Sequence, residues 1–186
     1  MESEAISIDE YLDSDVEQRF DFLYENYAIL KAIIKDYRED IITDVIEMKS
    51  YNRRAQNGEL GVRVQVSIGV SNPTMNKAIN HLTIAKAVDE GYLDEDFFED
   101  TDNPDALVKR VTIYHRVNID YQTFSSKLET LNPKEQKVMK EYLSGEKSFG
   151  DFSEEMGIDY QSAVKKIGRI KHKLIERVEP RLRRGA

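Results

Sequence analysis

The chain has 186 residues, of which 40 % are apolar and 33 % charged. That length fits one domain with an appendage or two small domains, and the apolar content excludes a wholly disordered chain. The lack of cysteine excludes disulfides, thiolate metal sites and cysteine nucleophiles, and suits a reducing, cytoplasmic setting. No run approaches the apolar length of a membrane span. The acidic start, MESEAISIDEYLDSD, has no apolar core and reads as no secretory signal.

The formal net charge is −8 and its distribution is uneven. Residues 1–126 hold 13 basic and 25 acidic side chains, whereas residues 127–186 hold 14 and 10. Residues 160–186 hold nine basic and two acidic ones. An acidic body with a basic end points to a polyanion at that end, or to a solvated basic helix and tail.

In chain order, the first element is a helical pattern from Val16 to about Tyr51. Val16, Phe20, Leu23, Tyr27, Leu30, Ile34, Tyr37 and Ile41 recur at 4-3-4-3-4-3-4, the spacing of a coiled-coil seam. Ser14 or Asp15 caps its start. Ile29, Ile33 and Ile42 widen the stripe, which favours packing in a bundle. A homodimer seam is the other use of the same face. Asn57-Gly58 then carries turn chemistry. Val62–Ile68 alternates apolar and polar residues and reads as extended or weakly β, with a dimer partner as the available pairing.

Ser71-Asn72-Pro73-Thr74 signals a helix start, with Asn72 as cap and Pro73 in the first turn. Met75, Ala78, Ile79, Leu82, Ala85 and Val88 follow at helical spacing, and Gly91 ends the helix. Between Asp89 and Asp105 lie nine acidic residues and no basic one, interleaved with Tyr92, Leu93, Phe97 and Phe98. The spacing matches no calcium loop, so this stretch reads as a solvated loop, with an acidic-aromatic protein contact as the alternative. Asn103-Pro104 opens a further helix with Leu107, Val111, Tyr114, Val117, Tyr121, Phe124 and Leu128 on its apolar face. It ends before Asn132-Pro133, because proline disfavours helical geometry in the residue before it. The two long helices can pack on each other.

Three helices follow. Pro133–Leu143 stops at Ser144-Gly145, and Phe149–Met156 stops at Gly157. A third runs from Tyr160 to about Val178 with Asp159 as its cap. Gly157 accepts the left-handed backbone that other residues resist. Ile158 is expected to plug the turn. Ala163, Ile167, Ile170 and Leu174 form the inner face of the third helix at 4-3-4. A short helix, a glycine turn and a longer helix make the helix-turn-helix plan. The outer face presents Gln161, Ser162, Lys165, Lys166, Arg169 and Lys173, whose donors and acceptors suit base edges in the major groove, and the half from Tyr160 to Arg169 is expected to approach the bases. Arg181, Arg183 and Arg184 in the tail are placed for phosphates. Gly168 costs helix stability, and close packing against a neighbouring helix is the expected reason.

The stretch LETLNPKEQKVMKEYLSGEKSFGDFSEEMGIDYQSAVKKIGRIKHKL resembles the region-four helix-turn-helix of bacterial sigma factors, over about a quarter of the chain. QSAVKKIGRIKHKL is its best-matching part. Together with GVRVQVSIGVSNPTMNKAI, it is similar to RinA-type and ArpU-type phage regulators. The resemblance implies a regulator of phage or prophage genes in a bacterial host, with recognition contacts on Tyr160, Gln161, Lys165, Lys166 and Arg169. The acidic insert at 89–105 has no place in that family pattern, and sigma elements that read the −10 promoter sequence are not recognisable.

Enzyme chemistry finds no foothold. His81, His115 and His172 are each more than 30 residues apart, and no phosphate loop, dinucleotide fingerprint or nucleophile elbow occurs. The expectation is therefore a non-enzymatic, all-α protein without cofactor or metal. Residues 1–128 form a helical body for dimerisation or partner contact, and 129–186 form a helix-turn-helix that binds double-stranded DNA to regulate transcription. The rivals are a sigma-like subunit that needs RNA polymerase, a phage DNA-packaging adaptor and a helical scaffold that binds no DNA.

Overall fold

The computed structural model describes residues 6–56, 73–93, 95–98 and 100–185. Among them every regular element is helical and no strand occurs. The elements are α1 (Val16–Glu25), α2 (Leu30–Gln56), α3 (Pro73–Glu90), α4 (Glu95–Phe98), α5 (Pro104–Glu129), α6 (Pro133–Leu143), α7 (Phe149–Met156) and α8 (Tyr160–Leu182), with a short 3-10 turn at each end. Asn57-Gly58, the alternating run Val62–Ile68 and the Asn72 cap lie outside the described residues.

The chain divides into two compact units, residues 1–34 with 116–186 and residues 35–115. This division does not follow the expected 1–128 and 129–186 parts. The reason is packing: α1 lies against α8, so the N-terminal helix shares a core with the C-terminal three-helix module.

The 16–51 pattern is two helices rather than one. Asn26 leaves helical geometry at φ −94° and ψ 3°, and its side chain donates to the Phe22 carbonyl at 2.9 Å. Asparagine competes with the backbone for such bonds and so favours ends. The break brings Tyr27 to Phe124 at 5.5 Å and Tyr121 at 6.1 Å between ring centroids. Phe20, Leu23, Leu30, Ile34, Tyr37, Ile41 and Val45 are buried within the chain's own two cores. The coiled-coil seam is therefore consumed internally, because bundle packing needs the same stripe. Ile29, one of the widening residues, is exposed. Asp15, not Ser14, caps α1 by accepting from the Gln18 backbone N–H at 2.8 Å.

In the first unit the interior also holds charge. Asp120, 2 % exposed, accepts from Arg116 Nε at 2.7 Å and from the Tyr11 hydroxyl at 3.1 Å. Arg19, 4 % exposed, donates to the Tyr11 and Leu12 carbonyls, and Arg116 donates to the Leu182 carbonyl at 2.8 Å. Burying a charge is costly unless it is paired or hydrogen-bonded, and these bonds offset much of that cost. The set ties the N-terminal segment and α1 to α5, and α5 to the end of α8.

In the second unit Ile41, Ile42, Val45, Val88, Leu107, Val111 and Ile113 make the core. Arg38 grips Asp89 with two nitrogens at 2.5 and 2.6 Å, and Arg110 pairs with Asp44 while lying over the Tyr37 ring. Gly91 ends α3 at φ +65°, and a Cβ there would come within 3.1 Å of the His115 ring. The His115 Nε2 donates to the Val88 carbonyl at 2.7 Å, so this histidine closes the end of α3.

Two expectations change in this unit. On α3 the packed residues are Ile84, Ala85 and Val88, whereas Ala78, Ile79 and Leu82 are exposed. Apolar residues lie on more than one side of this helix, and periodicity alone does not choose between them. The acidic stretch is also more anchored than a solvated loop. Phe97 is buried, Asp89 is paired, and Asn52 donates to the Asp100 carbonyl and to Asp102.

Candidate nucleic-acid interface

The three C-terminal helices start and stop at residues chosen for it. Asn132 caps α6 by accepting from the Glu135 backbone N–H, with Pro133 in the first turn. At α7, Ser148 and Asp151 form a reciprocal capping box. Gly157 ends α7 in the left-handed region at φ +61° and ψ +36°. Its N–H reaches the Glu154 carbonyl and the Ile158 N–H reaches the Ser153 carbonyl, the two bonds of a Schellman motif. Ile158 is half-buried. Asp159 caps α8, accepting from the Ser162 N–H at 3.0 Å and its hydroxyl at 2.6 Å. These bonds hold the Asp159 carboxyl below the ordinary aspartate range, with the Ser162 hydroxyl bond as the largest cause.

Packing orients α8. Ala163, Ile167, Ile170 and Leu174 are buried as the spacing predicts, and the stripe continues through Val178 and Leu182. The helix thus runs past Val178 to Leu182, with Pro180 inside its last turn. Helices α1, α6 and α7 all pack on it. A chain of rings runs from Tyr24 through Tyr142 and Phe149 to Tyr160, with centroids 6.3, 4.9 and 6.1 Å apart. It links α1, α6 and α7 to the first residue of α8.

The outward face differs sharply. Gln161, Lys165, Lys166, Arg169 and Lys173 are exposed, and Tyr160 is 53 % exposed. Ser162 is half-buried, with its hydroxyl engaged by Asp159. Among the described residues neither Lys165 nor Arg169 has an ion-pair partner. Lys166 lies 3.2 Å from the Met156 sulfur and has no ion-pair partner among the described residues. Lys173 is the exception: Glu135 of α6 holds it at 2.5 Å, and Lys173 in turn lowers the Glu135 pKa. Arg181, Arg183 and Arg184 are exposed, with Arg183 paired to Glu179 at 2.5 Å. The acidic residues of α8 itself, Glu176 and Glu179, lie only in its second half. The first half is therefore the cationic, uncovered part, suited to a polyanion.

Three further residues bear on this face. Arg177 is exposed and donates to the Thr130 carbonyl at 2.6 Å and hydroxyl at 2.9 Å. Lys171 turns inward, 2.8 Å from Asp21 and 4.5 Å from the Tyr24 ring centroid, and so serves packing. Gly168 is exposed, and a Cβ built there would meet no atom within 4 Å. The expected close packing of Gly168 against another helix is thus absent among the described residues; the position faces outward, about a third of a turn round the helix from the inner stripe. Gln161, Lys165, Gly168 and His172 repeat the 4-3-4 spacing of the inner face on the opposite side. That spacing is the signal that marks Gly168 and His172 as part of the outward face.

Among the described residues no three His, Asp or Glu side chains gather as metal ligands, and no helix is long and apolar enough to cross a membrane. Compared with protein-family models, curated proteins and solved structures, the chain matches none.

Proposed function

We propose that the chain is a sequence-specific DNA-binding regulator of transcription, an activator of phage or mobile-element genes, which reads the major groove with the first half of α8. One observation carries the reading. Behind a left-handed glycine turn, α8 packs against α1, α6 and α7 along its buried stripe, while Gln161, Lys165, Lys166 and Arg169 stand exposed away from it. A helix fits the major groove of B-DNA, and arginine and lysine pair with guanine edges while glutamine pairs with adenine. Lys166, Arg181, Arg183 and Arg184 suit phosphates, which position the protein without specifying sequence. The acidic remainder of the chain repels the duplex, so the electrostatics favour a single docking face. The resemblance to sigma region four and to RinA-type and ArpU-type regulators supports the same module and the phage setting.

The test is a gel shift with the full chain on duplexes selected from a randomised 20-base-pair library. Replacing Lys165, Lys166 and Arg169 together by Gln is expected to abolish the shift while circular dichroism stays helical. Unchanged affinity of that triple variant, or no selectable duplex for the wild type, overturns the proposal.

A further inference from the structure

Gly168 is unexplained by the protein around it. Its backbone is not in the left-handed region, so no turn geometry asks for glycine. Among the described residues no neighbour crowds it, since a Cβ would meet no atom within 4 Å. Glycine inside a helix is nevertheless less favourable than alanine. The position lies in the uncovered first half of α8, between Lys165 and Arg169 on the outward side. The missing side chain leaves a notch in a ridge of long donors.

We propose that Gly168 is the point of closest approach between α8 and its DNA duplex, where the helix backbone itself seats against one strand. This rests on the DNA-binding reading above. Without a Cβ, the helix can sink toward the groove by about the depth of a methyl group. Lys165, about one turn before it, and Arg169, the next residue, then reach bases and phosphates at hydrogen-bond range. Glycine is the residue of choice wherever backbone must approach a ligand closely. Gly168 is thus a positioning residue, and its effect on binding is steric.

The prediction separates stability from binding. Gly168→Ala raises Tm by about 2–4 °C, because alanine is the better helix former and the site has room. The same variant weakens binding to the library-selected duplex about tenfold, and Gly168→Leu weakens it further. Three outcomes overturn the inference: equal or tighter binding by Gly168→Ala, a lowered Tm in that variant, or no dependence on side-chain size. If the wild type selects no duplex, the DNA reading fails with it. If the wild type binds and Lys165→Gln weakens binding while Gly168→Ala does not, only the Gly168 inference fails.

Discussion

Lys165 and Lys171 stand six residues apart on α8 and meet opposite surroundings. Lys171 is clamped by Asp21 and lies over the Tyr24 ring, so its charge is used up in joining α8 to α1. Lys165 is exposed and without an ion-pair partner among the described residues. Residue type is the same; the angle from the Ala163–Leu174 stripe decides whether a cation holds the fold or is free for a ligand. The inward side of α8 is thus a structural surface and the outward first half the proposed binding surface, and variants on the two sides should separate cleanly.

The largest effect is expected inside. Leu174→Ala, at a fully buried position, should cost about 2–5 kcal/mol by chemical denaturation and reduce DNA binding only through loss of fold. Asp120→Ala comes next, at about 3 kcal/mol, because Arg116 and the Tyr11 hydroxyl lose a buried partner. Burial is the largest influence on Asp120 and raises its pKa above the ordinary aspartate value of 3.8. The part of the stability linked to titration of this carboxyl is therefore fully present below 3.8 and is lost as pH rises through the raised value, while the pairing with Arg116 and Tyr11 is what Asp120→Ala removes. Asp120→Asn cannot titrate, so the stability of the wild type relative to this variant should fall with rising pH in urea melts.

The outward side should show the reverse. Lys165→Gln is expected to leave Tm within about 1 °C, lower duplex affinity by about 1 kcal/mol and reduce the salt dependence of binding by about one ion. A matching Tm loss would break the distinction between the faces. Smallest is Lys171→Gln, expected to cost about 0.5–1 kcal/mol of stability, since the Asp21 pair is partly screened by solvent. It should leave the salt dependence of DNA binding unchanged.

Much of the C-terminal module was legible in residue order alone. Pro133, Gly157 and Asp159 mark helix ends through local backbone chemistry, and the buried stripe of α8 follows from the 3.6-residue period. Those are short-range effects, so the sequence carries them without a partner. The break at Asn26, the packed side of α3 and the inward turn of Lys171 were not legible. Each depends on which neighbour arrives: Phe124 against Tyr27, the α3 partners of Ile84 and Val88, and Asp21 against Lys171. The same holds for the seam of α1 and α2. Its 4-3-4 spacing requires a partner surface but does not say whose, and the fold supplies one from within the chain. Local propensity and periodicity thus determine where helices lie and which stripe is apolar. Long-range packing alone assigns each stripe its partner, and with it the cations left facing outward.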